Sequence, residues 1–430
     1  MIGNPNRRDI LKTTAQLAAA GYLAADNAAL ASVQTPIDPG ATALHEIDSI
    51  LRGATQAGDI PGVVAMAATD DGIVYQGVFG RRRLPDGPGM TRDTVFRIAS
   101  MVKLITSVAA LQLIEQAKLS LDAPVPALAP ELAAPLVLDS FDSKGIPQLR
   151  PAKSPITLRH LLTHTAGFTY RLWDAKALRY VETIGKLPAA VRAKLPRTPL
   201  MFDPGTRWQY GPNIDWVGRI VEHVSGEPVD AYFRKHILGP LGMKDTGFVI
   251  APEQRAREAS AHRHEPDGSL LPLPMEKPPT HETFTGGGGI YSTAPDYLTL
   301  LRALMHGGTL DGVRILRPET VALMGKNQIG DIEAGLLRTS APMLSNDVDF
   351  FPGISLKWGL GHMLNMRGVP GGRSAGSMTW AGLYNTYYWI DPVKQIAAVF
   401  MTQVMPFADH RALQLYRQFE RGLYAAVKAG

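Results

Sequence analysis

Apolar positions follow two spacings along the chain. Leu44, Ile47, Ile50 and Leu51 recur every three or four residues and predict a helix over Ala43–Gln56. Gly62–Ala68 and Ile73–Gly80 are short apolar runs separated by Asp71-Gly72, the signature of a hairpin. The far end reverses this order. Leu383–Ile390 and Gln395–Thr402 read as strands about the turn Asp391-Pro392, and Asp409–Val427 is amphipathic with helical spacing. A chain that begins helix, strand, strand and ends strand, strand, helix is expected to bring both ends into one antiparallel sheet. Between them the pattern is mostly helical. Ser292-Thr293-Ala294-Pro295-Asp296 starts one helix, which runs out at Gly307-Gly308, and Arg317-Pro318-Glu319 starts another. Glu253–Pro279 and Gly330–Gly353 lack periodicity and are expected to be long loops, which in an enzyme tend to border a site. No internal repeat is visible.

The first residues have a different pattern. Asn6-Arg7-Arg8-Asp9-Ile10-Leu11-Lys12 precedes the uncharged run Thr13–Ala25 and the small-residue sequence Ala29-Leu30-Ala31. This resembles a bacterial twin-arginine export signal over residues 1–31 and implies a periplasmic mature protein, or a cytoplasmic one if the signal is not functional. Thirteen residues are too few to cross ~30 Å of hydrocarbon as a helix, and no later apolar stretch approaches that length, so no stable membrane insertion is expected after cleavage.

Composition narrows the chemistry. With 430 residues, 45% hydrophobic and 19% charged, the chain is expected to pack as a globule. Its formal charge of +5 is small, and the basic run Arg81–Arg83 is too short for a nucleic-acid groove, so no nucleic-acid partner is expected. The absence of cysteine excludes thiol catalysis, cysteine-ligated metals and disulfides. Oligomeric state cannot be read from the sequence.

Ser100-Met101-Val102-Lys103 opens a strongly helical segment ending near Ala117, which puts a hydroxyl and an amine one turn apart on one face. A serine attacks an acyl carbonyl poorly unless a base takes its proton, and a lysine helps as a base only if its pKa is lowered enough to leave it partly neutral. The helix N-terminus adds N–H groups where an oxyanion would form. With 17 serines and 15 lysines, chance alone gives about 0.6 such pairs, so the pair carries little weight by itself.

Its context carries more. Phe96-Arg97-Ile98-Ala99-Ser100-Met101-Val102-Lys103, His160-Leu161-Leu162-Thr163-His164-Thr165-Ala166-Gly167, Pro204-Gly205-Thr206-Arg207-Trp208-Gln209-Tyr210, Pro240-Leu241-Gly242-Met243-Lys244-Asp245-Thr246-Gly247 and Gly286-Gly287-Gly288-Gly289-Ile290-Tyr291-Ser292-Thr293 follow in one order. Together they resemble the serine β-lactamase and penicillin-binding-protein superfamily, and within it the class C-like branch that includes the family VIII carboxylesterases. The resemblance implies an α+β fold of the β-lactamase/transpeptidase type. An antiparallel sheet flanked by helices would be built from residues 42–99 and 285–430, with a mostly helical part at 100–284, all in one catalytic unit from 42 to 430. It further implies Ser100 as nucleophile, Lys103 as its proton partner and Tyr210 as the second acid/base group, whose phenol would need a neighbouring ammonium. The backbone N–H groups of Ser100 and Leu383 would form the oxyanion hole. No cofactor and no metal are implied.

Two departures from that pattern bear on substrate. The tyrosine is followed by Gly211-Pro212-Asn213, one residue longer than the usual Tyr-x-Asn, so Asn213 is a doubtful ligand and would simply cap the next helix. Where a Lys or His usually precedes Thr-Gly, the chain has Trp380-Ala381-Gly382, similar to the Trp-x-Gly of family VIII esterases. Losing that cation argues for a neutral, partly apolar acyl substrate, unless Arg373 swings in to replace it. The expected reaction is therefore hydrolysis of short-chain carboxylic esters through an acyl-Ser100. The alternatives are a β-lactamase or D-amino-acid peptidase (DD-carboxypeptidase), an acyltransferase using an alcohol in place of water, and a non-catalytic binding domain. Tyr170, Trp208, Trp380 and Gly382 are the expected substrate-binding residues, with Phe168 and Tyr384 as further aromatic candidates for the acyl pocket of a small-molecule ester or amide.

Other motifs are set aside. Gly372-Arg373-Ser374-Ala375-Gly376 fits the Gly-x-Ser-x-Gly elbow, yet only 56 residues follow Ser374 and no helix does so directly. His160 and His164 have no glutamate to complete a zinc site and are read as packing or hydrogen-bonding residues, as are His262 and His264. Gly286–Gly289 lacks the Lys-Ser/Thr of a phosphate loop and reads as a chain bend near the site.

Overall fold

The computed structural model describes residues 39–265, 267–275 and 284–429, which belong to one compact unit. The proposed export signal, residues 1–31, lies outside the described residues, as does part of Glu253–Pro279. The elements that frame the site are α1 (Pro39–Ala57), β1 (Gly62–Thr69), β2 (Gly72–Gly80), α2 (Val102–Glu115), α3 (Asn213–Ser225), α4 (Ala294–Met305), β3 (Leu356–Trp358), β4 (Met363–Asn365), β5 (Met378–Gly382), β6 (Thr386–Asp391), β7 (Ile396–Met401) and α5 (His410–Ala429). Seven strands form one antiparallel sheet in the order β3-β4-β5-β6-β7-β1-β2. The first and last strands of the sequence pattern meet at its centre, where Val64 pairs with Met401 and Ala68 with Ala397.

Helices cover both faces of that centre. α1 and α5 pack on each other, and α4 packs on β1 and β7. All six residues of β7 are consequently buried. This explains why the central strands read as continuous apolar runs rather than alternating ones, as strands covered on both sides do. Gly422 on α5 lets α1 come close, since a methyl group there would stand 2.5 Å from Ile47. α2 has twelve consecutive buried residues, Val102 to Leu113, and lies within the protein rather than on its surface.

Three local expectations change. Leu383–Ile390 is not one strand. β5 ends at Gly382, the chain turns through Leu383-Tyr384-Asn385, and β6 returns from Thr386, paired back to Gly382. Asn385 takes φ +62° in that turn, and its amide donates to the Val404 and Pro406 carbonyls at 2.8 Å each. Within Glu253–Pro279 the described residues are not structureless: His262–His264 and Leu270–Pro272 pair with each other, and Val404–Met405 joins them in parallel. Strands of three residues are too short to leave a periodic trace. Asn213 does not cap α3, because its buried side chain turns inward instead, its Nδ2 lying 3.0 Å from His164 Nδ1 and donating to the Phe168 carbonyl at 3.1 Å. Between residues 325 and 355 there is no helix or strand, and an isolated bridge between Leu337 and Val348 ties the segment together.

Candidate active site

The site is built from the start of α2, the segment carrying Tyr170, the residues before α3, the glycine run and the end of β5. Ser100 sits in a single 3₁₀ turn, Ala99–Met101, that leads into α2. Ala99 adopts φ +43°, an unfavourable conformation for a residue with a Cβ, and such strain concentrates where surrounding structure fixes a functional group. One turn later Lys103 is 1% exposed, and its Nζ donates to Ser100 Oγ at 3.1 Å and to the Gly287 carbonyl at 2.6 Å. The ammonium also lies 5.0 Å from the ring centre of Tyr210 and 5.6 Å from that of Tyr170.

The electrostatics do not meet the condition under which a lysine acts as the base. Burial pulls the Lys103 pKa down, but the oxygens of Tyr170 and Tyr210 and the carboxylate of Asp215 outweigh it, and the net direction is upward. Lys103 is held as an ammonium. His164, which takes φ +58° and lies 4.7 Å from the Tyr210 ring, is held neutral by burial and by the same Lys103 charge. His160 is spent elsewhere: its Nδ1 accepts from Thr157 N at the start of a short helix, so the two histidines share no site.

Tyr210 and Trp380 form one unit. The Trp380 indole N–H donates to Tyr210 Oη at 3.1 Å, and the rings are 4.7 Å apart. Trp358 and Phe350 brace Trp380 from behind, at 4.7 Å and 5.9 Å. In front of this pair opens a cavity of about 470 Å³, lined by Ser100, Tyr170, Tyr210, Trp380, Leu383 and Tyr384 among others. Ser100, Lys103, Tyr210 and Leu383 are thus brought to one place.

Other predicted positions fall differently. Trp208 is buried one layer back, packed 5.3 Å from Trp358, and Phe168 stacks on Trp216 at 6.0 Å; neither lines the cavity. Gly382 is not a wall residue either. It lets β5 close on the Ser100 turn, since a methyl group there would lie 2.3 Å from the Ile98 carbonyl. Arg373 cannot supply a cation: it is fully buried, paired with Glu420 at 2.8 Å and Tyr416 at 2.6 Å. Ser374 lies in the same loop, its N–H bound to Asp391 at 2.8 Å, and does not line the cavity. The glycine run does border the site: Gly287, Gly288 and Gly289 line the cavity, and Thr106 and Lys103 hold the carbonyls of Gly286 and Gly287, both at 2.6 Å.

Sequence reasoning missed Trp173, Phe407 and Arg97, which also line the cavity, and Asp215 behind it. Arg97 was quoted within a motif but not as a wall residue. It is ion-paired with Glu258 at 3.2 Å, so it enters as a buried cation already engaged. Among the described residues no cluster of His, Asp or Glu is arranged to hold a metal, and no helix is long and apolar enough to cross a membrane.

The model of the family described as Beta-lactamase matches residues 47–422. The chain belongs to the β-lactamase family. Its relatives include proteins named as acyltransferases and as an esterase. The ML-236A carboxylate methylbutanoyltransferase of Penicillium citrinum is 31% identical over 417 residues, covering 92% of this chain and 98% of that protein. The lovastatin esterase of Penicillium rubens is 32% identical, covering 89% and 99%. Among solved structures, unliganded simvastatin synthase from Aspergillus terreus superposes with a TM-score of 0.77 at 30% identity, covering 90% of this chain and 99% of that one. The β-lactamase/transpeptidase-like fold and an ester-processing serine enzyme of this family follow from these likenesses.

Proposed function

We propose that this protein is an acyltransferase, moving an acyl group from a small ester donor to an alcohol through an ester on Ser100. The observation that carries the reading is the end-to-end likeness to a methylbutanoyltransferase, joined to an aromatic-walled cavity opening on Ser100. Hydrolysis, the reaction expected from the sequence, becomes the second reading. It is kept because a lovastatin esterase is equally similar.

In the first half-reaction Tyr210, acting as the phenolate beside the Lys103 ammonium, takes the Ser100 proton and becomes the phenol, Ser100 Oγ bonds to the donor carbonyl carbon, and the donor C–O bond breaks. The departing alcohol leaves with the proton from Tyr210. In the second half the acceptor hydroxyl gives its proton to Tyr210, its oxygen attacks the acyl carbon, and Ser100 Oγ departs and regains the proton. Lys103 stays an ammonium, holding Ser100 Oγ and facing the phenol. The N–H groups of Ser100 and Leu383 receive the oxyanion in both halves.

The test is partition. With a p-nitrophenyl short-chain ester, a rising concentration of an apolar primary alcohol should increase p-nitrophenol release and divert product into a new ester. Free acid as the only product at every alcohol concentration would return the assignment to hydrolysis. Fluorophosphonate should label a peptide containing Ser100 and leave Ser374 unlabelled. Nitrocefin should be turned over more slowly than the ester, because Trp380 offers a carboxylate no ionic partner; a faster β-lactam reaction would overturn the ester assignment. Export through the twin-arginine route is proposed on the sequence of residues 1–31, and replacing Arg7 and Arg8 by Lys should then trap the precursor in the cytoplasm.

A further inference from the structure

Asp215 stands in the first turn of α3, on the far side of the glycine run from the cavity. A methyl group at Gly287 would lie 2.4 Å from Asp215 Oδ1 and 3.3 Å from Lys103 Nζ, so carboxylate and ammonium face each other across a residue with no side chain between them. Asp215 Oδ1 is buried and accepts no hydrogen bond from the described residues. An unpaired buried carboxylate oxygen is unfavourable unless a positive charge acts on it, and here the start of α3 and the Lys103 ammonium both do. On its outer side Asp215 lines a second cavity, of about 460 Å³, together with Trp216, Glu222 and Gly286.

We propose that Asp215 is a positioning residue for the acyl-transfer site, holding Lys103 as an ammonium from the side opposite the acyl cavity. Lys103 is then a fixed positive charge through both half-reactions, and the moving proton belongs to Tyr210. The proposal rests on the acyl-Ser100 reading but not on whether alcohol or water is the acceptor. The groups facing Lys103 are Ser100, Tyr170, Tyr210, neutral His164 and Asp215. Those beside Asp215 are Glu222, which accepts from Val229 N at 2.9 Å, and Arg219, which lies over the Trp216 ring at 5.0 Å. Among the described residues, Asp215 is the carboxylate whose charge acts on Lys103.

The consequence is a sign that can be read. An opposite charge nearby favours the charged form of lysine, so removing it lets the ammonium lose its proton at lower pH. Asp215→Asn in the full chain should lower kcat at pH 8 by tenfold or more while KM for the p-nitrophenyl ester changes less than threefold. Its activity should also fall on the alkaline side at least one pH unit before that of the wild type, and Asp215→Glu should return most of both. A wild-type profile in Asp215→Asn would overturn the proposal. So would higher activity near neutrality with the acid limb moved to lower pH, because neutral Lys103 would then be the working base. A loss of kcat with unmoved limbs would reduce Asp215 to a structural role and equally refute it. If Asp215→Asn does not fold, Gly287→Ala keeps both charges and wedges a methyl between them; the same alkaline shift is expected there, and its absence is refuting. Failure of fluorophosphonate to label wild-type Ser100 would instead sink the acyl-enzyme reading, which separates the two failures.

Discussion

Lys103, at the start of α2, and Arg373, in the loop before β5, are both buried cations, 1% and 0% exposed. Their surroundings differ in kind. Arg373 gives Nε and Nη2 to the Glu420 carboxylate and Nη2 to Tyr416, and its guanidinium lies 4.8 Å over Trp389. Lys103 touches a hydroxyl and a carbonyl, and the carboxylate that balances it stands off across Gly287. A buried charge closed by contact with its counter-ion is committed to holding the fold together. One balanced from a distance is left free to hold the Ser100 hydroxyl, which lines the cavity. The same contrast explains why Arg373 does not stand in for the cation that Trp380 replaces: leaving its pocket would strand Glu420 without a partner.

Substitution should separate the two cations cleanly. Lys103→Ala, and likewise Tyr210→Phe, should lower kcat by roughly 10²–10⁴-fold with the fold intact, the range typical of losing a proton-transfer group. A near-normal rate would remove that residue from the mechanism. Arg373→Met should do the reverse, costing about 3–5 kcal/mol in urea unfolding because Glu420 stays buried and unpaired, while the folded fraction keeps its rate within about threefold. Loss of activity without loss of stability there would break the comparison.

Smaller effects refine it. Trp380→Phe keeps an aromatic wall but removes the N–H given to Tyr210, and a kcat reduction of about tenfold is expected for a lost hydrogen bond of this kind. Steady-state kinetics on the p-nitrophenyl ester will show whether that bond matters in the reaction. The smallest effect is in stability against pH. The pKa values of both cations move upward, so neither titrates between pH 4 and 7. Burial pushes His262 and His362 down to about 4, and their contributions are present above the ordinary histidine value and are lost as pH falls toward 4. Asp296, pushed up to about 6 by burial, acts in the opposite sense, losing its contribution as pH rises through 6. Burial lowers His160 and His164 as well, so the histidines together outweigh Asp296 and should leave the protein less stable at pH 4.5 than at pH 7. Chemical unfolding at both values checks the sign.

Much of this was legible because its signals are local. The Ser-x-x-Lys pair spans one turn, from the 3₁₀ turn at Ser100 into the start of α2. The hairpin joining β1 to β2 is announced by Asp71-Gly72, and the helix start at Thr293 is kept, with its hydroxyl accepting from Asp296 N at 3.3 Å. What escaped depends on distant segments meeting. Asp215 reads as an ordinary acidic residue in a helix's first turn until Gly287, 72 residues later, brings Lys103 opposite it. The turn at Leu383–Asn385 carried a usable signal, since asparagine tolerates positive φ, but it was submerged in an apolar run. Trp208 and Trp380 are the same residue type near the same site, and only their neighbours decide that one is core and the other wall.

The pairing of β1 with β7 also bears on how the molecule is made. Met66 leaves the ribosome more than 300 residues before its partner Val399, and Leu383 follows Ser100 by nearly as much. Until the last strands are synthesised, β1 and β2 are a lone hairpin with an open apolar edge, which a nascent chain must keep from pairing with another. The Ser100 and Leu383 N–H groups proposed to receive the oxyanion are therefore brought together only after translation is almost complete. Loss of β5 to β7 would leave Ser100 without Leu383 and Trp380 beside it and the early hairpin without its sheet, so such a fragment is headed for aggregation rather than for partial activity.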